Sequence, residues 1–411
     1  MRFEEINGRF GSGRLTTMAA AELLGVSERT FHRWRGRYEE RGADGLQDRR
    51  LGKPSPRRVP AEDVERILAL YHGSYAGFTV KHFHEYLIER HGIRLSYSWT
   101  KTALQAAGLV KRAPRRGAHR KKRPRRPLPG MLLHQDASRH AWLPGDEALY
   151  DLVVTMDDAT GAIYSAFLVA EEGTRSSLSG LRETIDRHGL FCALYTDRGS
   201  HYFLTPESGG RVAKISTQVG RALAQLGIQH IPAYSPQARG RSERVFGTLQ
   251  DRLPKDLALA GIGDVAAANR FLAEIYIARH NARFAVPAAE PGTAFVPDPG
   301  GLAREALCIQ EERRVGNDNT VRYRGLVLQL PPSPLRHHFV RTRVRVHDYP
   351  DATLAVFHGP HRLADYDAQG CLLTPDAPPK SAGQAKRSGG PRPARSVEKG
   401  GQTMCYQDQT T

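Results

Sequence analysis

Hydrophobic positions along the chain follow three successive spacings. From Leu15 to Ala107 they recur at helical intervals. Between Met131 and His280 short apolar runs alternate with helical stripes, and beyond Arg313 the period falls to two. In the first stretch Ala19–Leu24 predicts one helix, Gly25 a turn, and Ser27 the cap of a second helix. Ala21 is small where the two helices would cross, and Val26, Phe31 and Trp34 supply the buried side. Glu28, Arg29, His32, Arg33 and Arg35 are then left facing outward. Arg41 to Pro60 is a Gly/Pro/Arg-rich connector. Helical spacing returns with Val64, Ile67, Leu68 and Tyr71, then with Phe83, Tyr86 and Leu87 inside Thr79–His91, then in a capped segment from Ser96 to Ala107. The pattern predicts two helix-turn-helix-like units, residues 1–50 and 51–110, the second of which reads almost equally well as a structural three-helix domain.

The middle stretch predicts three strands: Met131–Leu143 with Asp136 at its centre, Ala148–Met156, and Ala162–Ala170. The turn Asp157-Asp158-Ala159-Thr160-Gly161 joins the last two, and turn chemistry alone accounts for both aspartates there. A helix over Thr174–His188 buries Leu178, Leu181 and Ile185. A short apolar strand from Phe191 to Tyr195 ends on Asp197, with Gly199 and Ser200 just beyond. Next come a helix from Ala213 to Leu226, a strand from Ile228 to Ala233, and a helix opened by Ser235-Pro236. Phe246, Leu249 and Leu253 form that helix's apolar stripe, and Glu243 lies on the stripe's border among Arg239, Arg241, Arg244 and Arg252. The predicted order is βββαβαβα. After it, Asp264–His280 reads as an amphipathic helix with Leu272, Ile275 and Tyr276 inward. Thr320–Leu330 (Gly325 inside it, Pro331-Pro332 after it), Arg341–His347 and Thr353–His358 read as strands of a small β-barrel.

Composition adds a partner to this picture. The 411 residues carry a formal charge of +17, which suits a polyanion. Part of that charge is concentrated in Lys111–Arg126, which contains no acid and is broken by Pro114, Gly117 and Pro124. Lys111, Arg112, Arg115, Arg116, Arg120, Lys121 and Lys122 would track phosphates along an extended run, adding affinity with little sequence selection. Cys192, Cys308, Cys371 and Cys405 show no metal-binding spacing and read as reduced thiols, two of them buried. No apolar stretch is long enough to span a bilayer, and the N-terminus lacks a signal peptide's apolar core, so neither membrane insertion nor secretion is expected.

Taken alone, Glu243 would pair with Arg239 or Arg244 on a solvated helix face. Set beside a strand-centre Asp136 and a strand-end Asp197 it takes on another meaning, because carboxylates converging from strands and a helix offer hard oxygen ligands to divalent cations. The words HQDAS around Asp136, TMDDATG at Asp157 and Asp158, YTDRGSHY at Asp197 and YSPQARGRSERVFGTLQ around Glu243 resemble the DDE transposases of bacterial insertion sequences, closest to the ISNCY type, and the catalytic core of retroviral integrases. The resemblance runs from the first helices to about Asp367. It implies a multidomain protein: N-terminal all-α helix-turn-helix domains, a basic linker (111–127), a central α/β ribonuclease H-like core (128–290), a linker (291–310), a C-terminal small β-barrel (311–370) and a disordered tail (371–411). It also implies that Asp136, Asp197 and Glu243 are the catalytic residues and hold two Mg²⁺ (or Mn²⁺) ions, with Asp158 in reserve. DNA would be contacted by Arg29, His32, Arg33 and Arg35 on the second helix, by the basic linker, and by Arg239 and Arg244. The implied activity is binding of terminal inverted repeats, 3′-end cleavage and joining to target DNA by a homo-oligomer in the bacterial cytoplasm, at the nucleoid. A non-catalytic helix-turn-helix regulator or a domesticated transposase is the alternative. The Asp197–Glu243 interval is longer than in many such cores, and Phe203–Arg211 reads as the loop that absorbs the difference.

Overall fold

The computed structural model describes residues 2–48, 58–112, 124–204, 216–234 and 240–373. The chain divides into two compact units, Met1–Ala118 and His119–Thr411. In the first unit α2 (Thr17–Leu24) and α3 (Glu28–Arg41) follow the predicted helix-turn-helix. Gly25 closes α2 at φ +67°, a left-handed conformation that glycine adopts without a Cβ penalty, and the Ser27 hydroxyl accepts the Thr30 amide to start α3. Ahead of them lies α1 (Arg2–Gly11), which the sequence reading passed over. Its Phe3 and Ile6 pack with Ala20, Ala21 and Phe31, a contact that the spacing of Phe3, Ile6 and Phe10 could have disclosed. In the second set, α4 (Ala61–Ser74), α5 (Val80–Glu89) and α6 (Tyr97–Ala106), the expected Ile67, Tyr71, Phe83, Tyr86 and Leu87 are buried. The Tyr71 hydroxyl donates to the Phe78 carbonyl at 2.8 Å, which satisfies the one polar atom this ring carries into the core.

The second unit is built on a five-stranded sheet, β1 (Leu133–His140), β2 (Tyr150–Asp157), β3 (Ile163–Val169), β4 (Ala193–Thr196) and β5 (Gln229–Pro232), in the order β3-β2-β1-β4-β5. The first three strands are antiparallel, while β4 and β5 run parallel to β1. Helices α7 (Thr174–His188), α8 (Gln218–Gln225) and α9 (Gly240–Leu259) complete the predicted order. The predicted start of α8 at Ala213 lies outside the described residues, and Thr217, in extended conformation with its hydroxyl accepting the Gly220 amide, is the N-cap. The alternation along β1 sorts the side chains. Leu133 faces the cluster with Leu178, Leu181, Val219 and Leu223, whereas α9 lays Phe246, Leu249, Leu253 and Leu257 on Leu152, Val154 and Met156 of β2 on the other face.

The single amphipathic helix expected after α9 is interrupted. Val265–Phe271 (α10) and Ile277–Phe284 (α11) are joined by a π-helical turn, Leu272–Tyr276, which advances the register. Leu272 and Tyr276 are therefore buried while Ile275, expected inward, is 45% exposed. Asn269 and Asn281 each bond both the amide and the carbonyl of an edge-strand residue, Leu168 and Ile163 respectively, so side-chain amides cover the open side of β3. On α11, His280 is 4% exposed, and burial, with Arg252 and Arg283 adding to it, pulls its pKa down to about 4. An unfolded His titrates near pH ~6.5, so on acidification the unfolded chain takes up the proton first. This contribution to stability is complete above about pH 6.5 and is lost as pH falls toward 4, reaching up to about 3 kcal/mol. His230, also pulled down to about 4 by burial, acts in the same sense. The thermal midpoint should fall across that window, and His280→Gln should flatten the slope of midpoint against pH.

The C-terminal strands do not close into the expected small β-barrel. Among the described residues β6 (Ile309–Arg314), β9 (Arg343–Asp348), β10 (Leu354–His358), β11 (His361–Tyr366) and β12 (Leu372–Leu373) form an open antiparallel sheet ordered β12-β11-β10-β9-β6; β7 (Thr320–Tyr323) and β8 (Leu326–Gln329) form a separate hairpin. Read as one strand with Gly325 inside it, Thr320–Leu330 instead folds back at Arg324 (φ +48°) and Gly325 (φ +81°), two successive left-handed residues that make a tight hairpin turn. Residues 291–310 carry α12 (Leu302–Ala306), whose Ala303 is buried with Leu307 against α7 and α8. Gln218 exchanges two hydrogen bonds with the Gln310 backbone (2.8 and 3.0 Å), and Arg175 of α7 pairs with the buried Asp348, so the C-terminal sheet is tied to the core through polar contacts. Among the described cysteines Cys308 is buried and Cys192 and Cys371 are exposed; Cys405 lies outside the described residues, so the expectation of two buried thiols is met by one of the three described. No described helix is long and apolar enough to cross a membrane. The tail predicted as disordered over 371–411 begins instead with a paired strand, Leu372 and Leu373 lying against Tyr366 and Asp365 of β11, and residues 374–411 lie outside the described residues.

Candidate active site

β1 and β4 pair in parallel through Leu133↔Leu194 and His134↔Tyr195. Continued two residues along both strands, that register brings Asp136 opposite Asp197, on the face that His134 and Tyr195 share. Asp136 is buried, and one of its oxygens accepts the Ala137 amide at 3.0 Å. Asp197 is half-buried at the exit of β4, and its Oδ1 accepts the Gly199 amide at 2.9 Å. A Cβ on Gly199 would stand 3.0 Å from the His201 ring and 3.1 Å from the Asp197 carboxylate, so this turn has no room for a larger residue without displacing one of them. The two aspartates also act on a common neighbour. Burial pushes the Tyr202 phenol well up, and the charges of Glu172, Asp197 and Asp136 add to that effect.

Helix α9 covers this same face. Two polar tethers bracket its first three turns: Arg241 pairs with Asp158, and Gln250 Nε2 donates to Ser138 Oγ at 2.9 Å. Glu243 lies seven residues, two helical turns, before Gln250 and therefore on the same flank; Asp136 lies two residues before Ser138 on the same strand face. Glu243 is exposed in the first turn of the helix. The three acids thus stand toward one side of the sheet, two on adjacent strands and one on the helix above. Among the described residues, however, no three His, Cys, Asp or Glu side chains are grouped closely enough to hold a metal ion.

Asp157 and Asp158 have structural partners. Asp157 accepts the Gly130 and Thr160 amides and the Thr160 hydroxyl (3.1, 2.7 and 2.8 Å), fixing the β2–β3 turn. Asp158 is fully buried and accepts from His134 Nε2 (2.8 Å), the Arg126 amide (2.9 Å) and Arg241. Its burial alone would raise the pKa, but these donors outweigh it and hold the carboxyl well below the ordinary carboxylate range. His134, Tyr195, Arg241 and Gln250 did not emerge from the sequence as site residues. His134 lies inside the HQDAS word, but no periodicity distinguishes it.

The expected DNA-contacting residues fall into three groups. On α3, Arg29, His32 and Arg33 are exposed, whereas Arg35 is half-buried, bonded to Glu39 at 2.7 Å and laid over the Phe10 ring at 5.0 Å. Lys111, Arg112 and, on α9, Arg244 are exposed. Arg115, Arg116, Arg120, Lys121, Lys122 and Arg239 lie outside the described residues, as do Ser235-Pro236 and most of the loop from Phe203 to Arg211.

Two homeodomain-like domain families match the N-terminal helices, at residues 12–47 and 30–104. A protein of Sinorhizobium fredii named as transposase y4bF is 32% identical over 371 residues, covering 88% of this chain and 80% of the relative. The chain belongs to that transposase family. The transposase for insertion sequence IS1202 of Streptococcus pneumoniae is 29% identical over 308 residues, covering 66% of this chain and 65% of the relative. As an insertion-sequence transposase the chain is a polynucleotidyl transferase with N-terminal helix-turn-helix DNA-binding domains. Among solved structures, a simian T-cell lymphotropic virus intasome chain matches 70% of this transposase and 93% of its own length at 16% identity, with a TM-score of 0.32. The magnesium-bound catalytic core of the HTLV-2 integrase matches 36% of the transposase and 89% of its own length at 19% identity, with a TM-score of 0.27. Both likenesses are too distant to assign a fold.

Proposed function

We propose that this transposase binds the terminal inverted repeats of its element, cleaves the DNA 3′ ends, and joins them to target DNA by metal-dependent phosphodiester transfer, with Asp136, Asp197 and Glu243 as the catalytic carboxylates. The observation that carries the reading is the parallel β1–β4 register, which sets two aspartates side by side under the helix that bears Glu243. The antiparallel β1-β2-β3 followed by parallel β4 and β5, with helices on both faces, supports a ribonuclease H-like core.

The donor set is all carboxylate oxygen, the chemistry that Mg²⁺ or Mn²⁺ prefers. Two such ions held by Asp136, Asp197 and Glu243 would supply Lewis acidity to the attacking and leaving oxygens. The chain's own residues do the positioning. Strands β1 and β4 fix the two aspartates on a rigid sheet, and the packed stripe Phe246, Leu249, Leu253 and Leu257 fixes the helix that carries Glu243. Exposed Arg244 and the basic run from Lys111 neutralise phosphates, while Arg29, His32 and Arg33 on α3 face the groove that a helix-turn-helix enters. Arg35 would reach DNA by leaving Glu39. A homo-oligomer would synapse both element ends, acting in the cytoplasm at the nucleoid.

The test is incubation of purified protein with a labelled duplex of the element's own end. Mg²⁺-dependent 3′-end cleavage and joining, abolished by EDTA, is the expected result. Tight end binding without cleavage under Mg²⁺ or Mn²⁺ would instead identify a regulator or a domesticated copy. Arg29→Ala and Arg33→Ala should weaken end binding, each removal of a phosphate contact reducing the salt slope by about one unit.

A further inference from the structure

We propose that Asp158 is a positioning residue of this active site, a buried carboxylate that locks the first turn of α9 to β1 and so sets Glu243 relative to Asp136 and Asp197. The inference rests on the proposed catalytic carboxylates and goes beyond them, since it assigns a buried group that holds no metal. Two side chains converge on Asp158, each two residues before one of the acids, and a ring contact carries the chain of contacts to the third. Arg241, two residues before Glu243, donates to its Oδ1. His134, two residues before Asp136, donates to the same oxygen at 2.8 Å. The His134 ring in turn meets the Tyr195 ring at 5.3 Å in an edge arrangement, and Tyr195 lies two residues before Asp197. The second oxygen accepts the Arg126 amide at 2.9 Å, and the Asp158 amide donates to the Leu132 carbonyl at 2.9 Å, so Asp158 is also fastened to the segment that leads into β1, independently of the helix.

The geometry gives Asp158 a task that packing cannot perform. The apolar stripe of α9 sets the height of the helix above the sheet, but apolar contact is non-directional and leaves sliding along the helix axis weakly opposed. Directional bonds at both ends of the segment, Arg241–Asp158 and Gln250–Ser138, set that position. Asp158 itself is ruled out as an ion ligand by its own surroundings: both oxygens are taken by cationic or N–H donors, its side chain is wholly buried, and a guanidinium occupies the place a cation would need.

The experiment compares the full chain with Asp158→Asn, Arg241→Gln and the double variant on the element-end duplex. Melting temperature, end binding, Mn²⁺ affinity (by electron paramagnetic resonance on the DNA complex) and cleavage are measured at graded Mg²⁺. A displacement of about 1 Å at the reacting groups costs on the order of 100-fold in rate. The expected result is parental end binding, Mn²⁺ affinity lowered tenfold or more, cleavage about 100-fold slower, and a double variant no worse than the singles because both break one contact. Parental Mn²⁺ affinity and cleavage in either folded variant would overturn the role of Asp158, as would losses that add in the double variant. Should Asp158→Asn fail to fold, Arg241→Gln decides, since its side chain is partly exposed and its loss leaves the sheet bonds of Asp158 intact. The Mn²⁺ readout needs no turnover, so a parent that bound Mn²⁺ without cutting DNA would count against the transposition chemistry and leave the positioning role to be judged by affinity alone.

Discussion

Glu243→Gln and Asp136→Asn should each lower Mg²⁺-dependent cleavage of the element end by about 1,000-fold or more, while end binding stays at the parental level. The amide keeps the shape of each side chain and removes the negative charge that would hold a divalent cation in the proposed reaction. Loss of several kcal/mol of transition-state stabilisation, about 4 kcal/mol here, corresponds to that factor. Binding should survive because the helix-turn-helix helices belong to a different compact unit from the sheet. The check is single-turnover cleavage of a labelled duplex beside a gel-shift titration. Activity that persisted in Glu243→Gln alone would move the third carboxylate elsewhere, since this residue is exposed in the structure while Asp136 is buried. Equal loss in both variants, with binding intact, is what three acids acting on the same ions require.

The second large effect is expected from Leu253→Ala. Leu253 is fully buried in the cluster that joins α9 to β2 and to the α10–α11 pair. Truncation removes the transfer energy of its methyl groups and leaves a cavity whose walls relax only in part, a cost of about 2–5 kcal/mol. For a domain of this size about 3 kcal/mol lowers the melting temperature by roughly 6–12 °C. Pro254 follows at once inside the helix and removes one amide donor, so this turn depends on its side-chain packing more than its neighbours do. Calorimetry of the variant checks the shift. A fall of a degree or less would mean that α9 is anchored mainly by its polar tethers. Cleavage measured well below the transition should then show whether the loosened helix also slows chemistry.

Much of this protein was legible along the chain because the relevant physics is local. Gly25 and Ser27 mark the turn of the first helix pair by backbone preference and capping, and the α7 boundaries Thr174–His188 follow from one amphipathic stripe. The β1-β2-β3-α7-β4-α8-β5-α9 order follows from changes of period, while Asp136, Asp197 and Glu243 were singled out as a set by their places on strand and helix together with the family resemblance of the words around them. Short-range rules failed where conformation depended on a single residue. Arg324 adopts a left-handed φ that its side chain does not announce, and the π turn at Leu272–Tyr276 adds one residue to a helical register that periodicity assumes to be regular.

What only the tertiary structure decided is which distant residues meet. The parallel β1–β4 register that aligns Asp136 with Asp197 joins strands separated by two antiparallel strands and a helix, and nothing in either strand specifies it. The partnership of Asp158 with His134 and Arg241 spans 24 and 83 residues. From sequence, Asp158 is a turn aspartate, which is also true; its burial against a guanidinium arises because α9 returns across the sheet. The opening of the C-terminal strands into a sheet rather than a barrel has the same origin, since closure depends on pairing between edges that local alternation does not encode. Local propensity and period act over a few residues and can be read there, whereas pairing, register and the charge partners of buried groups are set by the whole packed core.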